Sequence, residues 1–229
     1  MTHLLLTIKW HYIFNPELAL KGLPTVLQGL GNTLTLSLAS FLLATLGGLC
    51  LALLRLAPLR GLRAIAIAYI SFFRGVPLLV TLFFIYYGLP LMGIVMSAFT
   101  AAILGLSITA SAYTAEIIRA GIEGVEKGQW EAAFAVGLTY RQSLRYVVIP
   151  QATRLAIPPL SNVMLDLVKS SSIAAIISVP EIFQKAKVVG ASEHDFMTMY
   201  ILVAVIYWLI CTAYSLVQAK LERRFALDI

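Results

Sequence analysis

Charged side chains are scarce in this sequence. Lysine, arginine, aspartate and glutamate make up 12% of the 229 residues, whereas 60% are apolar. Typical soluble domains carry about 25% charged residues, so this composition excludes an ordinary water-soluble fold and indicates an integral membrane protein. The start of the chain has only a short leucine run with no small-residue cleavage site after it, which disfavours a secretory signal peptide.

Cysteine and histidine are also rare. Cys50 and Cys211 each stand alone in an apolar stretch, and His3, His11 and His194 have no second ligand at metal-binding spacing. This pattern excludes a disulfide framework and a metal cluster, and it predicts that both cysteines are buried apolar residues. The sequence also lacks a Gly-x-x-x-x-Gly-Lys-Ser/Thr phosphate loop and any Ser-His-acid arrangement. We therefore expect no enzymatic activity from the chain itself.

Long apolar stretches are what the sequence does contain. About 20 helical residues cross the roughly 30 Å of hydrocarbon in a bilayer. Five stretches reach that length, at about residues 31–54, 64–88, 97–118, 155–178 and 197–217. They predict an all-α membrane protein with one domain and five transmembrane helices, the second interrupted at Arg74, Gly75 and Pro77. No internal repeat is visible, which disfavours an inverted-repeat carrier.

The distribution of positive charge orients these five spans. With the C-terminus in the cytoplasm, the inner segments hold eleven of the seventeen lysines and arginines, the outer segments hold four, and two lie within spans. Because cytoplasmic loops are enriched in these residues, the N-terminus is predicted outside and residues 119–154 form a long cytoplasmic loop. The same distribution favours membrane lipid over nucleic acid as the partner of the net charge of +6.

Two shorter segments are predicted to form helices on the outer surface. One covers residues 17–28, before the first span. The other lies within residues 179–196, where Glu181, Lys185 and Glu193 are mixed with apolar residues. We expect this second helix, with its charged residues, to face outward.

The long loop has the pattern of a helix, a turn and a helix. Gly137 suits the left-handed position that closes a first helix. Thr139 and Gln142 have the spacing of a capping box that opens a second helix. Pro150 is then expected to end or redirect that second helix.

This loop resembles the "EAA" loop of bacterial ABC-importer permeases. The resemblance is carried by Glu131, Ala132 and Ala133, by Gly137 four residues later, and by the Val147, Ile149, Pro150 group. It extends over residues 29–224 and is strongest to the branch that transports polar amino acids. Further matching segments are residues 31–34, 73–79, 113–119, 127–131, 149–152 and 167–172.

The resemblance implies a type I ABC-importer permease fold with cytoplasmic coupling helices, in the bacterial cytoplasmic (inner) membrane. Its expected partners are a cytoplasmic ATPase dimer that binds ATP and Mg²⁺, an extracytoplasmic amino acid-binding protein, and a second permease copy or a sister permease. No cofactor is expected in this chain. The expected ATPase-coupling residues are Glu131, Ala132, Ala133, Gly137, Leu138, Thr139 and Pro150.

The implied cargo is a polar amino acid such as cystine, histidine, arginine, glutamine or glutamate, with cystine favoured. Members of this branch often have an acidic residue and a threonine where this chain has Ser170 and Ser171. The competing function classes are an ATP-independent channel or carrier and a membrane-embedded enzyme. The loop favours the importer over both.

Three charged residues, Arg74, Asp166 and Lys169, lie inside predicted spans. A charge there costs at least about 2.5 kcal/mol, so these residues need partners. In one hypothesis they line a substrate path, with Arg74 facing the carboxylate of an amino acid and Asp166 its ammonium group, supported by Asn162, Ser170 and Ser171. In the other, the charges neutralise one another and hold two spans in register.

Glu116 and Arg119 are a second candidate pair, at the cytoplasmic end of the third span. Their spacing of three residues places both side chains on one helix face. We expect an ion pair at the membrane interface, and a gate is the alternative.

Overall fold

The structure is a computed structural model that describes residues 13–225, with side chains up to residue 220. The expectations for His3 and His11 lie outside these residues. The described chain is almost entirely helical. Its helices are α1 (Pro16–Leu27), α2 (Leu30–Leu56), α3 (Arg60–Gly75), α4 (Leu78–Phe83), α5 (Ala98–Glu123), α6 (Lys127–Ala135), α7 (Tyr140–Ser143), α8 (Ile149–Ser170), α9 (Ile182–Ser192) and α10 (Phe196–Phe225).

The predicted all-α membrane fold is confirmed. Within residues 13–225, four helical stretches are long and apolar enough to span a bilayer: α2, α5, Tyr140–Ile177 and Phe196–Lys220. A fifth span results if α3 and the following stretch Leu78–Met92 are counted as one broken element.

The broken element is bent by 106° between its two halves. The break falls at Val76 and Pro77, where Val76 is extended with φ −94° and ψ 132°. Pro77 causes this geometry, because its ring disfavours the helical conformation of the preceding residue and it has no backbone N–H to donate. The predicted interruption is confirmed, but the second span is two helices at a steep angle, and not one straight helix over residues 64–88.

Small side chains hold the two central helices together. The buried face of α2 includes Ser37, Ser40, Ala44, Gly48 and Ala52. It packs against α5, whose buried face is rich in alanine, glycine, serine and threonine. Close approach of backbones through small residues drives helix association in membranes, where lipid tails remove the hydrophobic driving force. The α2–α5 pair is therefore the core on which the other helices pack.

Helix α8 begins earlier than the sequence indicates. The chain runs without a break from α7 through a π-helical turn at Leu144–Val148 into α8, and it ends in a 3₁₀ turn at Ser171–Ile177. The prediction that Pro150 ends or redirects a separate second helix is therefore wrong. Pro150 lies in the first turn of α8, where the wider π turn before it removes the need for the hydrogen bond that proline cannot make.

Two short helices, α1 and α9, confirm the predicted helices at residues 17–28 and 179–196. They pack against each other and against the first turns of α10 around a small apolar core that includes Val26, Ile182, Ala186 and Met199. Helix α6 precedes α8 and α9 follows it. Because α8 has 22 residues and rises about 1.5 Å per residue, α6 and α9 lie at opposite ends of the helix bundle.

The prediction that both cysteines are buried is wrong. Cys50 is exposed and Cys211 is only half-buried. Cys50 lies between the buried residues Gly48 and Ala52, which belong to the stripe that faces α5. Successive residues of a helix are rotated by about 100°, so Cys50 lies nearly opposite Gly48 and Ala52 and points away from the core.

Candidate functional site

A cavity of about 290 Å³ opens between the broken element and helices α5 and α8. Its lining is mostly apolar with a few polar groups, which is the usual composition of a small-molecule site. The lining residues are Leu78, Leu106, Thr109, Ala110, Tyr113, Ile117, Pro159, Asn162, Val163, Asp166, Leu167 and Ser170. The Thr109 hydroxyl is buried without a hydrogen-bond partner among the described residues.

Helix α8 supplies most of the polar wall. Asn162, Asp166 and Ser170 follow one another at intervals of four residues, which places them on one helix face. Asn162 Oδ1 accepts a hydrogen bond of 3.0 Å from Gln218 Nε2 on α10. The amide of Asn162 is thus oriented by a neighbouring helix.

Asp166 and Lys169 form an ion pair, with 2.7 Å between Oδ1 and Nζ. The expected contact between these two residues is confirmed. Their side chains remain 69% and 53% exposed, so water or a ligand can reach both. Only Asp166 lines the cavity. A ligand ammonium group approaching Asp166 would compete with Lys169 for the carboxylate.

Arg74 lies at the end of α3, immediately before the break. Its guanidinium group sits 5.6 Å from the centre of the Tyr113 ring, and Tyr113 lines the cavity. Such a separation is within the range of a cation–π contact. Among the described residues, Arg74 makes no ion pair. The structure therefore joins Arg74 to the cavity through Tyr113 and leaves its charge unneutralised by Asp166.

Ser171 lies outside the cavity. Its side chain is fully buried, and its hydroxyl donates a hydrogen bond of 2.7 Å to the Val168 carbonyl oxygen. Ser171 does not line the cavity, whereas its neighbour Ser170 does. The turn from α-helix to 3₁₀-helix between these two residues separates their side chains.

Glu116 and Arg119 form the expected ion pair, and two further charges join it. Glu116 Oε2 accepts hydrogen bonds from Arg119 Nε at 3.1 Å and Nη2 at 2.9 Å. Its other oxygen contacts Arg55 at the end of α2, and Arg119 also contacts Glu123. Arg55 was not predicted as a partner of this pair, although a lone basic residue at the end of an uncharged span was a usable signal. The cluster links α2 to α5 near the end of the bundle that carries α6.

The connection between α5 and α7 contains the residues expected to couple to an ATPase. Gly137 has φ +83°, which confirms the predicted left-handed residue after the first helix. The predicted capping box is also present: the Thr139 hydroxyl accepts from the Gln142 N–H, and Gln142 Oε1 accepts from the Thr139 N–H at 2.9 Å. The local chemistry of these residues thus shapes the turn.

Aromatic stacking holds helices α6 and α7 of this connection together. The rings of Trp130 on α6 and Tyr140 on α7 lie 5.4 Å apart and nearly parallel. Glu131, Ala132, Gly137 and Thr139 are exposed, whereas Ala133 is buried. Ala133 therefore packs inward. The four exposed coupling residues, together with the exposed side chains of Phe134, Val136 and Tyr140, form the outer surface of this α6–α7 turn.

Glu181 is the functional candidate that the sequence misplaced. It was expected on an outward-facing segment, but its side chain is fully buried at the start of α9. Its carboxyl group accepts hydrogen bonds from the backbone N–H groups of Phe183 and Gln184, at 2.8 and 2.7 Å, and from the Tyr207 hydroxyl at 2.7 Å. Burial raises the pKa of Glu181 above its ordinary value, although hydrogen bonds from Phe183, Tyr207 and Gln184 oppose the shift.

A helical bundle with a broken span, a partly polar cavity beside that break and an exposed helical turn at one end defines a membrane permease. Comparison with known sequences identifies the family: the chain belongs to the binding-protein-dependent transport system inner membrane components, whose sequence pattern matches residues 44–227.

Individual relatives cover nearly the whole chain. The "Probable amino-acid ABC transporter permease protein YckA" of Bacillus subtilis (strain 168) is 51% identical over 220 residues, 96% of this chain and 97% of that protein. The "L-cystine transport system permease protein TcyB" of the same organism is 43% identical over 202 residues, 88% of this chain and 86% of that protein.

Solved structures show the same fold. A chain of the "Crystal structure of an amino acid ABC transporter with histidines" aligns with a TM-score of 0.87 and 37% identity, over 90% of this chain and 96% of that chain. The inward-facing MetNI methionine ABC transporter aligns with a TM-score of 0.75 over 89% of this chain and 97% of that chain, at 20% identity. The ABC-importer permease fold implied by the EAA resemblance is thereby confirmed.

Proposed function

We propose that this chain forms the translocation path of an ATP-driven importer for a polar amino acid, and that the cavity beside α8 is its substrate site. The observation that carries this proposal is the polar wall of Asn162, Asp166 and Ser170 in an otherwise apolar cavity. Asp166 would bind the substrate ammonium group. Arg74, which reaches the cavity through its contact with Tyr113, would bind the carboxylate.

Lys169 and Ser171 take supporting roles in this proposal. Lys169 neutralises Asp166 while the cavity is empty and releases the carboxylate when a substrate ammonium group arrives. Ser171 does not contact substrate, and it stabilises the turn that ends the polar wall. The Glu116–Arg119 pair lies away from the cavity lining, and together with Arg55 it would act as an interhelical lock.

The exposed turn between α6 and α7 is proposed to dock on a separate ATPase dimer, which binds ATP and Mg²⁺. Glu131, Ala132, Gly137, Leu138 and Thr139 would supply the docking surface. Ala133 and Pro150 would set its shape from behind: Ala133 is buried, and Pro150 lies in the first turn of α8. Small residues at Ala132 and Gly137 would allow close approach of the partner's backbone.

This docking requires the α6–α7 turn to lie in the cytoplasm. The excess of lysine and arginine on that side of the spans supports a cytoplasmic C-terminus and an outer N-terminus in a bacterial inner membrane. The opposite end, which carries α1 and α9, would then receive an amino acid-binding protein. A second permease copy or a sister permease would complete the path.

Cystine is the first substrate to test. Among similar permeases, TcyB and TcyL are named for L-cystine, GlnM for glutamine and ArtQ for arginine.

Uptake into proteoliposomes tests the proposal. The purified complex with its ATPase and binding protein is expected to accumulate one labelled amino acid, from a panel of cystine, glutamine, arginine, histidine and glutamate, only when ATP is supplied. Asp166→Asn and Arg74→Ala should each raise the substrate concentration for half-maximal uptake by about tenfold or more, because each removes one charge-assisted contact.

Arg63→Ala is the matched control for Arg74→Ala, since Arg63 is an exposed arginine of the same helix and does not line the cavity. Its uptake should equal that of wild type. If Asp166→Asn and Arg74→Ala assemble normally and keep the wild-type substrate dependence, the cavity is not the substrate site. Uptake without ATP would instead show a channel or secondary carrier.

A further inference from the structure

A buried hydrogen-bond cluster surrounds the Glu181 carboxyl group at the end of the bundle opposite α6. Tyr207 on α10 donates to one carboxyl oxygen at 2.7 Å. The neighbouring Ile182 N–H donates to the Thr33 hydroxyl oxygen on α2 at 3.2 Å. Asn32 on α2 donates from its side-chain amide to the Pro180 carbonyl oxygen at 2.9 Å. The start of α9 is thus attached to both α2 and α10.

Capping α9 does not by itself require a buried glutamate. Helices α1 and α5 are capped by Asn15 and Ser97, neither of which is buried. Burying a carboxyl group costs several kcal/mol unless it is fully hydrogen-bonded, and among the described residues no cation pairs with Glu181. The buried Glu181 carboxyl group therefore depends on its three hydrogen-bond donors, a requirement that an exposed asparagine or serine cap would not have.

Along the chain, the Glu181 cluster follows the polar wall of the cavity. From Ser170, which lines the cavity, the chain passes through the 3₁₀ turn Ser171–Ile177 and through Ser178, which has φ +63°, to reach Glu181. The Tyr207 and Ser171 hydroxyl oxygens are 3.4 Å apart. Each already donates its hydrogen elsewhere, to Glu181 and to the Val168 carbonyl, so this is a packing contact.

Tyr207 is consequently in contact with both ends of the 3₁₀ turn. It bonds to Glu181 after the turn and packs against Ser171 at its start. The intervening residues Ala174, Ala175 and Ile177 are buried, which leaves the turn little freedom to deform by itself. A displacement of α9 would therefore be transmitted to Ser170 and Asp166 as long as the Glu181 cluster is intact.

We propose that Glu181 is a positioning residue for transport. Its carboxyl group holds α9 to α10 and to the 3₁₀ turn behind the cavity, so that movement of α1 and α9 reaches the polar wall of α8. This inference rests on the proposed function, because it takes the cavity as the substrate path and the α1–α9 end as the docking site of the binding protein. Tyr207 is the partner through which Glu181 acts.

The test compares basal ATPase activity with stimulated activity. Complexes of permease, ATPase and binding protein in lipid nanodiscs would be prepared with wild type, Glu181→Ala, Glu181→Gln and Tyr207→Phe. Glu193→Gln is the matched control, since it removes an exposed carboxylate just after α9 whose ion pair with Lys21 of α1 lies at the surface, where such pairs contribute little. The readouts are complex yield, ATPase activity without substrate, and ATPase activity with substrate-loaded binding protein.

Glu181→Ala is expected to keep basal activity within about twofold of wild type and to lose stimulation about fivefold or more. Glu181→Gln should recover much of the stimulation, because an amide oxygen in place of Oε2 still accepts from the Phe183 N–H and from the Tyr207 hydroxyl, and only the Gln184 N–H loses its acceptor. Tyr207→Phe should lower stimulation with unchanged basal activity. Glu193→Gln should behave as wild type.

Two results would overturn the inference. One is stimulation in Glu181→Ala equal to that of wild type, and the other is a parallel loss of basal and stimulated activity in complexes that assemble with normal yield, which shows no specific loss of coupling. If Glu181→Ala does not assemble, Tyr207→Phe decides, and unchanged stimulation in that variant overturns the inference. A wild-type complex without substrate-stimulated activity contradicts the proposed function itself, and the inference with it.

Discussion

Gly48 provides a sharp test of how the central helices pack. A Cβ atom added to Gly48 would lie 2.6 Å from both Cβ and Cγ2 of Thr114 and 3.0 Å from the backbone nitrogen of Ala115. These atoms belong to the backbone or to the stem of a β-branched side chain, which cannot rotate away. Gly48→Ala therefore forces α2 and α5 apart.

The magnitude follows from two opposing effects. Overpacking of this kind costs about 1–3 kcal/mol, while replacing a helical glycine with alanine returns up to about 1 kcal/mol through helix propensity. We expect a net loss of about 1–2 kcal/mol in the free energy of unfolding. Gly31→Ala is the matched control on the same helix, because nothing lies within 4 Å of its added Cβ. That variant should be as stable as wild type or slightly more stable.

Unfolding in mixed micelles, titrated with SDS and followed by tryptophan fluorescence, measures both variants. A second-site change extends the test, because Thr114→Gly removes the side-chain atoms that clash with the added Cβ. The double variant Gly48→Ala with Thr114→Gly should therefore lose less stability than the two single variants lose when their losses are added. The Thr114 hydroxyl has no hydrogen-bond partner among the described residues, so no bond is lost in that swap. If Gly48→Ala proves as stable as Gly31→Ala, the reasoning on close packing is refuted.

Three further predictions concern charges and caps. Thr139→Ala should cost about 1 kcal/mol of stability through loss of the capping box and should weaken binding of the ATPase, with Thr153→Ala as the control in a co-purification assay. Glu116→Gln should lower thermal stability, because it leaves the guanidinium groups of Arg55 and Arg119 close together without the carboxylate between them, and equal melting temperatures for variant and wild type would contradict this. Because burial raises the pKa of Glu181, its contribution to stability is fully present below the ordinary value of 4.5 and is lost as the pH rises through the higher native value. The melting temperature of wild type minus that of Glu181→Gln should therefore fall as the pH is raised from about 4 to about 8, and a difference that stays constant or rises would be inconsistent with a raised pKa.

The charges near the cavity are exposed on the surface of the single chain. Asp166 and Lys169 are more than half exposed, and Arg74 is exposed as well. Charged groups at membrane depth face protein or water and avoid lipid. The surfaces of α8 and of the end of α3 that carry them must therefore border a water-filled passage or another subunit, which agrees with the proposed pairing of two permease chains.

Local signals in the sequence were sufficient for the spans, the break and the turn. The apolar runs predicted the spanning helices, although α8 begins earlier than its apolar run. Pro77 predicted the interruption, and Gly137 with the Thr139–Gln142 pair predicted the geometry between α6 and α7. Each of these features depends on residues that are close in the chain, through backbone stereochemistry and hydrogen bonds over three or four residues. The EAA pattern is likewise local, and it was enough to indicate the family.

Tertiary structure decided which of the predicted residues share a site. The sequence placed Ser170 and Ser171 together on the substrate path and left Arg55 out of the Glu116–Arg119 pair. It also placed Glu181 on an outward surface, because a charged residue between spans is usually solvated. Only the packing of α2, α9 and α10 shows that Glu181 is buried and hydrogen-bonded by donors from α9 and α10. Burial and neighbours depend on how distant segments meet, and no pattern within one segment contains that information.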